Sequence, residues 1–184
     1  MKSDRNRWNK RYAKEEPDYR GPDPFFLEHR ALLSSGSALD VAAGRGGASL
    51  AAAELGYSVH AVDISVAAMV GLRREAGRRG LDVSCVVADL DEFVPPHGYY
   101  DLVMVFHFYA PALSARIAGS LKRSGLLIYS TYNYRHLSEK PTFNPAYLVP
   151  RGGPARAFPD MEILVDEPEA GVLGNLSRLV ARKR

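Results

Sequence analysis

The sequence predicts an α/β fold, in which a mostly parallel, three-layer arrangement of sheet and helices ends in an antiparallel C-terminal edge strand. Three observations support this prediction. Short apolar runs alternate with helical stretches, glycines mark most of the boundaries, and a hairpin signal joins the last two apolar runs. Uninterrupted apolar runs are typical of parallel strands, which are buried on both faces. We therefore expect a doubly wound sheet.

Length and composition fit one soluble domain. The chain has 184 residues, of which 46% are apolar and 24% are charged. No run approaches the roughly 20 apolar residues of a membrane span, and the N-terminal residues lack the apolar segment of a signal peptide. The single cysteine, Cys85, excludes an internal disulfide and suits a reducing compartment. We therefore expect a cytoplasmic protein without a membrane partner.

The net charge of +3 is weak evidence for any charged partner. One predicted helix carries a cluster of four arginines, Arg73, Arg74, Arg78 and Arg79. A nucleic-acid surface and a solvated helix face are both compatible with this cluster. Acidic residues balance the charge elsewhere, which favours the solvated face, and we expect no nucleic-acid partner.

Residues 1–23 are predicted to form an N-terminal arm. Trp8 and Tyr12 are four positions apart and would share one face of a helix, and Tyr19 and Arg20 follow. Two interpretations remain open. The arm packs on the flank of the domain, or it is a lid whose aromatic and arginine groups cover a cationic ligand and pair with its carboxylate.

Residues 24–184 are predicted to form a single domain, and its first half alternates strictly. Pro24 opens a helix that Gly36 ends, and Ser65 and Gly80 cap a later helix. The predicted elements, in order, are a helix over 24–33, a strand over 38–41, a helix over 48–55, a strand over 58–62, a helix over 65–79 and a strand over 83–87.

The second half begins in the same way and then becomes irregular. The predicted elements are a strand over 101–106, a helix over 112–123 opened by Pro111, and a strand over 126–131. Residues 132–160 are rich in proline and are predicted as loop around a short helix at 146–149. Two final strands over 161–165 and 176–181, separated by Gly171 and Gly174, form the predicted hairpin.

The most informative stretch is 39–65, which reads as strand, glycine-rich turn, helix and strand. Gly44 and Gly46 provide close backbone approach to a ligand, and Asp63 ends the second strand, where a carboxylate binds ribose hydroxyls. Ser49 stands where the dinucleotide fingerprint has a third glycine or an alanine. Asp40, at the end of a buried strand, suits a ligand with an ammonium group better than one with a pyrophosphate. A nucleoside-containing cofactor is therefore our first hypothesis.

The pattern of Asp40, Ala42, Gly44 and Gly46, followed by Asp63, resembles motif I and the acid after the second strand in class I S-adenosylmethionine-dependent methyltransferases. A glycine turn in an unrelated α/β protein and a nicotinamide-dependent dehydrogenase are the weaker alternatives. The resemblance implies a Rossmann-like methyltransferase sheet.

Further segments are similar to the small tellurite-resistance-type methyltransferases, a family of the methyltransferase domain 25 type. These segments are 8–12 (Trp-Asn-Lys-Arg-Tyr), 24–27 (Pro-Phe-Phe-Leu), 88–90 (Ala-Asp-Leu) and 179–183 (Leu-Val-Ala-Arg-Lys). Arg45 departs from the family pattern, which often has Glu or a small polar residue there, and this leaves the electrostatics of the turn open.

The resemblance implies S-adenosyl-L-methionine as the cofactor and assigns residues to it. Asp40 and the backbone of Ala42, Gly44 and Gly46 would face the methionine part, and Asp63 would accept hydrogen bonds from the ribose. The remaining implied cofactor residues are Ile64, which would pack on adenine, Asp89 and Leu90, which would meet its amino edge, and Phe106, Trp8 and Tyr12.

The acceptor side is less specific. His107 follows the fourth predicted strand, and it is either a general base or a wall of the pocket. Tyr109, Tyr132, Arg135 and His136 are candidate acceptor-binding residues. The last three would suit an anionic acceptor, although a polar surface loop has the same composition.

The expected function is methyl transfer to a small-molecule acceptor such as a thiol, a chalcogen oxyanion or a hydroxyl compound. Nucleic-acid amino-methyltransferases place Asn or Asp-Pro-Pro-aromatic after strand 4, whereas residues 107–111 read His-Phe-Tyr-Ala-Pro. A non-catalytic S-adenosylmethionine-binding protein is the alternative from another class. The histidines and carboxylates do not fall at metal-ligand spacings, so no metal is expected. The sequence gives no indication of the oligomeric state.

Overall fold

The structure of the protein is a computed structural model that describes residues 2–14, 21–150 and 153–184. The strands form a seven-stranded mixed sheet in the order β3-β2-β1-β4-β5-β7-β6. The strands are β1 (Gly36–Val41), β2 (Tyr57–Asp63), β3 (Val83–Val87), β4 (Tyr100–Phe106), β5 (Leu121–Tyr132), β6 (Met161–Ala170) and β7 (Leu176–Lys183). The α-helices are α1 (Lys2–Lys14), α2 (Pro24–Glu28), α3 (Gly47–Glu54), α4 (Val66–Arg79) and α5 (Ser114–Ser120). The predicted fold class is confirmed.

The chain divides into two compact units, Met1–Val94 and Pro95–Arg184. In the first unit, β1, β2 and β3 are parallel, with Asp40 of β1 beside Ala61 of β2, and Ala61 beside Cys85 of β3. Helix α3 is almost entirely apolar and buried, and α4 buries the face that carries Met69 and Leu72. These side chains join Leu50 and Ala61 in one apolar core, which fixes both helices on the sheet.

The N-terminal arm contains a helix, α1, that packs against α4. Trp8 and Tyr12 lie on one face of α1 with their ring centroids 5.7 Å apart, as their spacing predicts. Tyr12 also packs against the apolar core of the first unit. Tyr19 and Arg20 lie outside the described residues.

The helix predicted over 24–33 is interrupted. Asp23 caps α2 by accepting a hydrogen bond from the Phe25 amide at 2.9 Å. At His29 the backbone leaves the helical region, and the imidazole Nδ1 lies 2.9 Å from the carbonyl oxygen of Phe25. The α-helix therefore ends at Glu28, and a single 3₁₀ turn, Arg30–Leu32, follows.

In the second unit, β4 and β5 are parallel, whereas β7 runs antiparallel to both β5 and β6. The predicted hairpin is therefore confirmed. The two strands β6 and β7 are longer than predicted because their backbone pairing continues beyond the apolar runs that revealed them.

The helix predicted over 112–123 is wrong at its C-terminal end, over residues 121–123. A 3₁₀ turn, Pro111–Leu113, precedes α5, and the chain is already extended at Leu121, which pairs with Tyr100 of β4. The Ser120 hydroxyl donates to the Ile117 carbonyl at 2.8 Å and occupies an acceptor at the end of the helix. Strand pairing therefore overrides the helical periodicity of these residues. The short helix predicted at 146–149 is a 3₁₀ turn at Pro145–Tyr147.

Candidate active site

The turn after β1 has an unusual backbone. Ala42, Gly44 and Gly46 all have positive φ angles, of 58°, 54° and 74°. Glycine adopts these angles without strain, but alanine does so at a cost of about 1 kcal/mol. Such conformations persist where the surrounding structure enforces them, and they are concentrated at functional sites.

Two residues restrict the space around the turn. A Cβ atom placed on Gly46 would lie 2.3 Å from a methyl carbon of Leu72 in α4, and one on Gly44 would lie 2.6 Å from the Tyr12 hydroxyl. The turn therefore requires glycine at Gly46 for packing as well as for its backbone angle. The Tyr12 hydroxyl lies directly over Gly44.

Asp63, at the end of β2, is held by the backbone on both sides. Its Oδ2 accepts a hydrogen bond from the Gly44 amide at 2.9 Å, and its Oδ1 accepts one from the Ser65 amide at 2.8 Å. The side chain is 7% exposed, and burial raises its pKa although these backbone donors lower it. Each carboxylate oxygen keeps a second lone pair for a further donor. The carboxylate is thus oriented before any ligand binds.

Asp40 is buried at the end of β1, and Ser49 is its partner. The Ser49 hydroxyl donates to Asp40 Oδ2 at 2.6 Å. Burial raises the pKa of Asp40 to about 7, the hydrogen bond from Ser49 opposes this shift, and the charge of Asp63 adds to it. The departure from the dinucleotide fingerprint at Ser49 therefore has a physical role, because the hydroxyl solvates a buried carboxyl group.

Helix α1 is attached to this region by hydrogen bonds and by a contact between a guanidinium and an aromatic ring. The Asn9 Oδ1 accepts hydrogen bonds from the Ser65 hydroxyl at 2.9 Å and from the Ala67 amide at 3.2 Å. An Arg45 Nη2 donates to the Tyr12 carbonyl at 3.3 Å, and its guanidinium lies 5.4 Å from the Tyr12 ring centroid. Arg45, the departure noted in the sequence, therefore contacts the last turn of α1, where carbonyls have no partner within the helix.

The other predicted cofactor residues of the first unit lie at strand ends. Ile64 and Asp89 are half-buried, directly after β2 and shortly after β3, and Leu90 is buried. The Ala88 amide donates to the Asp63 carbonyl at 3.0 Å, which joins the two strand ends. Trp8 is half-buried, and the guanidinium carbons of Arg7 and Arg11 lie within 5.3 Å of its ring centroid.

In the second unit, His107 follows β4 directly and is exposed. Its φ angle is 55°, in a region that a non-glycine residue rarely adopts, and its amide donates to the Ser130 carbonyl of β5 at 2.8 Å. Its ring stacks on that of Tyr132, with centroids 5.2 Å apart. Phe106 is half-buried at the end of β4.

Tyr132 stacks on two histidines. The His136 ring lies 4.0 Å from the Tyr132 centroid, and Phe143 packs edge-on against both rings. His136 is 3% exposed, and its Nδ1 has no hydrogen-bond partner among the residues that the structure describes. We call His107, Tyr132, His136 and Phe143 the aromatic cluster. The structure therefore brings three of the predicted acceptor-side residues together.

The remaining predicted acceptor-side residues, Arg135 and Tyr109, lie apart from these ring contacts. The Arg135 guanidinium pairs with Glu169 Oε2 at 2.6 Å, and Glu169 Oε1 accepts a hydrogen bond from the Tyr134 hydroxyl at 2.7 Å. This pairing weakens the case for Arg135 as an anion-binding group. Tyr109 is half-buried, and burial raises the pKa of its hydroxyl.

Within residues 2–14, 21–150 and 153–184, no three His, Cys, Asp or Glu side chains are grouped so that they could hold a metal ion. No helix in these ranges is both long and apolar enough to cross a bilayer.

Comparison with known families identifies the fold. Residues 38–125, from β1 to the early part of β5, match the family model of a methyltransferase domain. Over this part, the chain is similar to a methyltransferase domain. The match begins two residues before Asp40 and includes Asp63 and His107, so the ends of β1 to β4 lie within it and the end of β5 lies outside it.

Solved structures share the fold over nearly the whole chain. A structure for the conversion of a disulfide bond into a thioacetal group during echinomycin biosynthesis is 20% identical, with a TM-score of 0.75 over 97% of this chain and 92% of that chain. TehB from Haemophilus influenzae is 15% identical, with a TM-score of 0.74 over 98% of this chain and 67% of its own. Geranyl diphosphate C-methyltransferase from Streptomyces coelicolor A3(2) is 16% identical, with a TM-score of 0.69 over 88% and 79%. The expected resemblance to tellurite-resistance-type methyltransferases is confirmed at the level of the fold.

Sequence reasoning missed two residues that contact the predicted site residues or their neighbours in the chain. Asn9 lies 56 positions from Ser65, and no local pattern reveals that the two side chains bond. Phe143 lies between Pro141 and Pro145 in an irregular loop, where periodicity carries no information. Ser49, in contrast, was visible as a departure from a fingerprint, although its partnership with Asp40 was not.

Proposed function

We propose that this protein is an S-adenosylmethionine-dependent methyltransferase that acts on a small-molecule acceptor. The observation that carries the proposal is the Asp63 carboxylate, oriented by the amides of Gly44 and Ser65 at the carboxyl end of β2. A carboxylate fixed in this way can accept hydrogen bonds from two vicinal ribose hydroxyls.

The donor set fits the cofactor. Asp40 and Asp63 provide two acidic groups beside the turn after β1, which suits a ligand that carries an ammonium and a sulfonium. When bound, the cofactor would supply an activated methyl group: the nucleophile of the acceptor would bond to the methyl carbon, the carbon–sulfur bond would break, and S-adenosylhomocysteine would leave. An ionised Asp40 would pair with the ammonium, and because its pKa is about 7, it is ready to lose its proton near neutral pH. These residues bind and orient, which is the main contribution of a protein to such a displacement.

The acceptor would be bound by the aromatic cluster of the second unit together with Tyr109. These rings favour a flat or soft acceptor, and the pairing of Arg135 with Glu169 makes a strongly anionic one less suitable. A thiolate needs no base, whereas a phenol or an alcohol does. His107, exposed at the end of β4, is our candidate for that base.

Calorimetric titration with S-adenosylhomocysteine tests the cofactor assignment. We expect micromolar binding by the wild type and at least about a hundredfold weaker binding by Asp63→Ala, because charged hydrogen bonds to the ribose are lost. Asp82→Ala, an exposed acid two residues past the end of α4 and its cap, is the control. No binding by the wild type, or equal binding by Asp63→Ala, would refute the assignment.

Turnover assays test the reaction. The protein is incubated with S-adenosylmethionine and a panel of thiols, chalcogen oxyanions and phenols, and formation of S-adenosylhomocysteine is followed. Acceptor-dependent product is expected for at least one neutral or thiol acceptor. Cofactor binding without product from any acceptor class would instead support a non-catalytic binding protein, and affinity for NAD alone would support a dehydrogenase.

A further inference from the structure

Asn9 provides half of the N-terminal cap of a helix that lies far away in sequence. The first residues of α4 carry amides without partners inside the helix. Ser65 caps one of them, because its Oγ accepts a hydrogen bond from the Ala68 amide at 3.2 Å. The Ala67 amide donates instead to Asn9 Oδ1 of α1, at 3.2 Å. Ser65 and Asn9 of α1 therefore cap α4 together.

The same contact continues to Asp63. The Ser65 hydroxyl donates to Asn9 Oδ1 at 2.9 Å, and the Ser65 amide donates to Asp63 Oδ1 at 2.8 Å. Ser65 is completely buried, so it has little freedom to move between these partners. The Gly44 amide donates a second hydrogen bond to this carboxylate, to Asp63 Oδ2 at 2.9 Å. A continuous network thus runs from α1 to the turn after β1.

The chemistry of the network requires an acceptor at Asn9. An amide N–H can only donate, so Ala67 needs an oxygen opposite it, and the Ser65 hydroxyl uses the same oxygen. An aspartate would supply this oxygen, and its charge would be favourable at the start of α4. An alanine would leave a donor without a partner and the Ser65 hydroxyl free to rotate.

We propose that Asn9 is a positioning residue for cofactor binding, which acts through Ser65 to hold Asp63 in the orientation that accepts the ribose hydroxyls. The inference rests on the proposed function, because it assigns Asp63 to the ribose. It makes cofactor affinity dependent on the docking of α1 onto α4. Linkage then requires the reverse effect, so that bound cofactor strengthens the docking of α1 by the same factor.

Titration of three variants with S-adenosylhomocysteine tests the role of Asn9. Asn9→Ala is expected to weaken binding about tenfold, the size of a lost cap or a lost hydrogen bond to an oriented group. Asn9→Asp is expected to bind within about threefold of the wild type, because it restores the acceptor oxygen. Asn6→Ala is the matched control, since it makes the same change at an exposed position of the same helix and should leave affinity unchanged. Equal affinities of Asn9→Ala and Asn6→Ala would overturn the proposal.

A double-mutant cycle separates positioning of Asp63 from a general effect of α1. In the background of Asp63→Asn, the further change Asn9→Ala should alter affinity by less than about twofold, because the group that Asn9 positions no longer has its charge. A full tenfold loss in that background would mean that Asn9 acts by another route. Thermal unfolding of each variant without ligand shows which of them are folded.

Hydrogen exchange of the wild-type protein provides a test that needs no variant. Amides of α1 should exchange more slowly in the presence of saturating S-adenosylhomocysteine, while those of the hairpin strands β6 and β7 serve as an internal reference. Unchanged exchange in α1 with ligand bound would overturn the proposal. Failure of the wild type to bind the ligand at all would refute the proposed function instead, so the two failures are distinguishable.

Discussion

The two units hold their candidate residues by different physical means. In the first unit, hydrogen bonds fix the two carboxylates. The Ser49 hydroxyl donates to Asp40, and the amides of Gly44 and Ser65 donate to Asp63. In the second unit, the rings of the aromatic cluster stack on one another, and His136 is buried with its Nδ1 unpaired among the described residues.

The candidate cofactor residues are therefore oriented by hydrogen bonds, whereas the candidate acceptor residues are held by ring packing. Hydrogen bonds have a preferred distance and angle, so their donors hold a carboxylate in one orientation. Stacked rings slide more easily and can accept another flat group. The first arrangement suits a single defined ligand, and the second suits acceptors of differing structure. Four substitutions test this contrast, the first with the largest expected effect.

Gly46→Ala tests how rigid the turn is. The new Cβ would overlap a methyl of Leu72 at 2.3 Å, and the φ angle of 74° is unfavourable for alanine. We expect the free energy of unfolding to fall by about 2–4 kcal/mol, measured by urea denaturation. Gly77→Ala in α4, where a Cβ meets nothing within 4 Å, should instead stabilise by about 0.5–1 kcal/mol. Similar effects of the two variants would contradict a tightly packed turn.

His107→Asn tests the role of the exposed histidine. Asparagine tolerates the left-handed backbone but cannot act as a base at neutral pH. We expect kcat/KM for a phenolic acceptor to fall about a hundredfold, and that for a thiol at alkaline pH to fall less than about tenfold. The dissociation constant of S-adenosylhomocysteine should not change. Equal losses with both acceptors would assign His107 to the pocket wall rather than to proton transfer.

Asp40→Asn tests the buried carboxyl group through pH. The pKa of Asp40 is about 7 in the folded protein, above the value of about 4 in an unfolded chain, so the folded state holds the extra proton between these values. The free energy of unfolding of the wild type therefore falls as the pH rises from about 4 to 7. The variant lacks this loss, and at pH 8 we expect it to be more stable than the wild type by on the order of 2 kcal/mol. A constant difference between pH 4 and pH 8 would contradict the raised pKa.

His136→Phe should have the smallest effect. It preserves a ring between Tyr132 and Phe143 and removes the buried nitrogen that has no hydrogen-bond partner in the described part of the chain. We expect an increase in unfolding free energy of less than about 1 kcal/mol. Tyr132→Leu, which removes the ring that both histidines stack on, should lower it by about 1–2 kcal/mol. A marked destabilisation by His136→Phe would mean that Nδ1 has a partner in solution.

Much of the first unit could be predicted from the sequence. The strand that ends at Asp63, the helix capped by Ser65 and ended by Gly80, and the turn at Gly44 and Gly46 are all encoded within a few residues. The pattern succeeded because each of these features depends on local backbone geometry. The contact of Asn9 with Ser65 depends on how α1 packs, which no local pattern contains.

Less of the second unit could be predicted from the sequence. The helix predicted to reach Arg123 ends at Ser120, because Leu121 pairs with Tyr100 of β4, which lies twenty-one residues earlier. The ring contacts of Tyr132, His136 and Phe143 depend on the path of an irregular loop. The sequence predicts Tyr132 and His136 as members of one site, but it does not reveal that Phe143 packs against them.

The sequence by itself determined the fold class and the positions of the two carboxylates, because hydrophobic periodicity and glycine placement act over short distances and decide where strands end. The tertiary structure decided which groups those carboxylates face, how Arg45 and Asn9 attach α1, and which rings stack. These contacts join residues far apart in the chain, and their geometry depends on the packing of complete helices and strands.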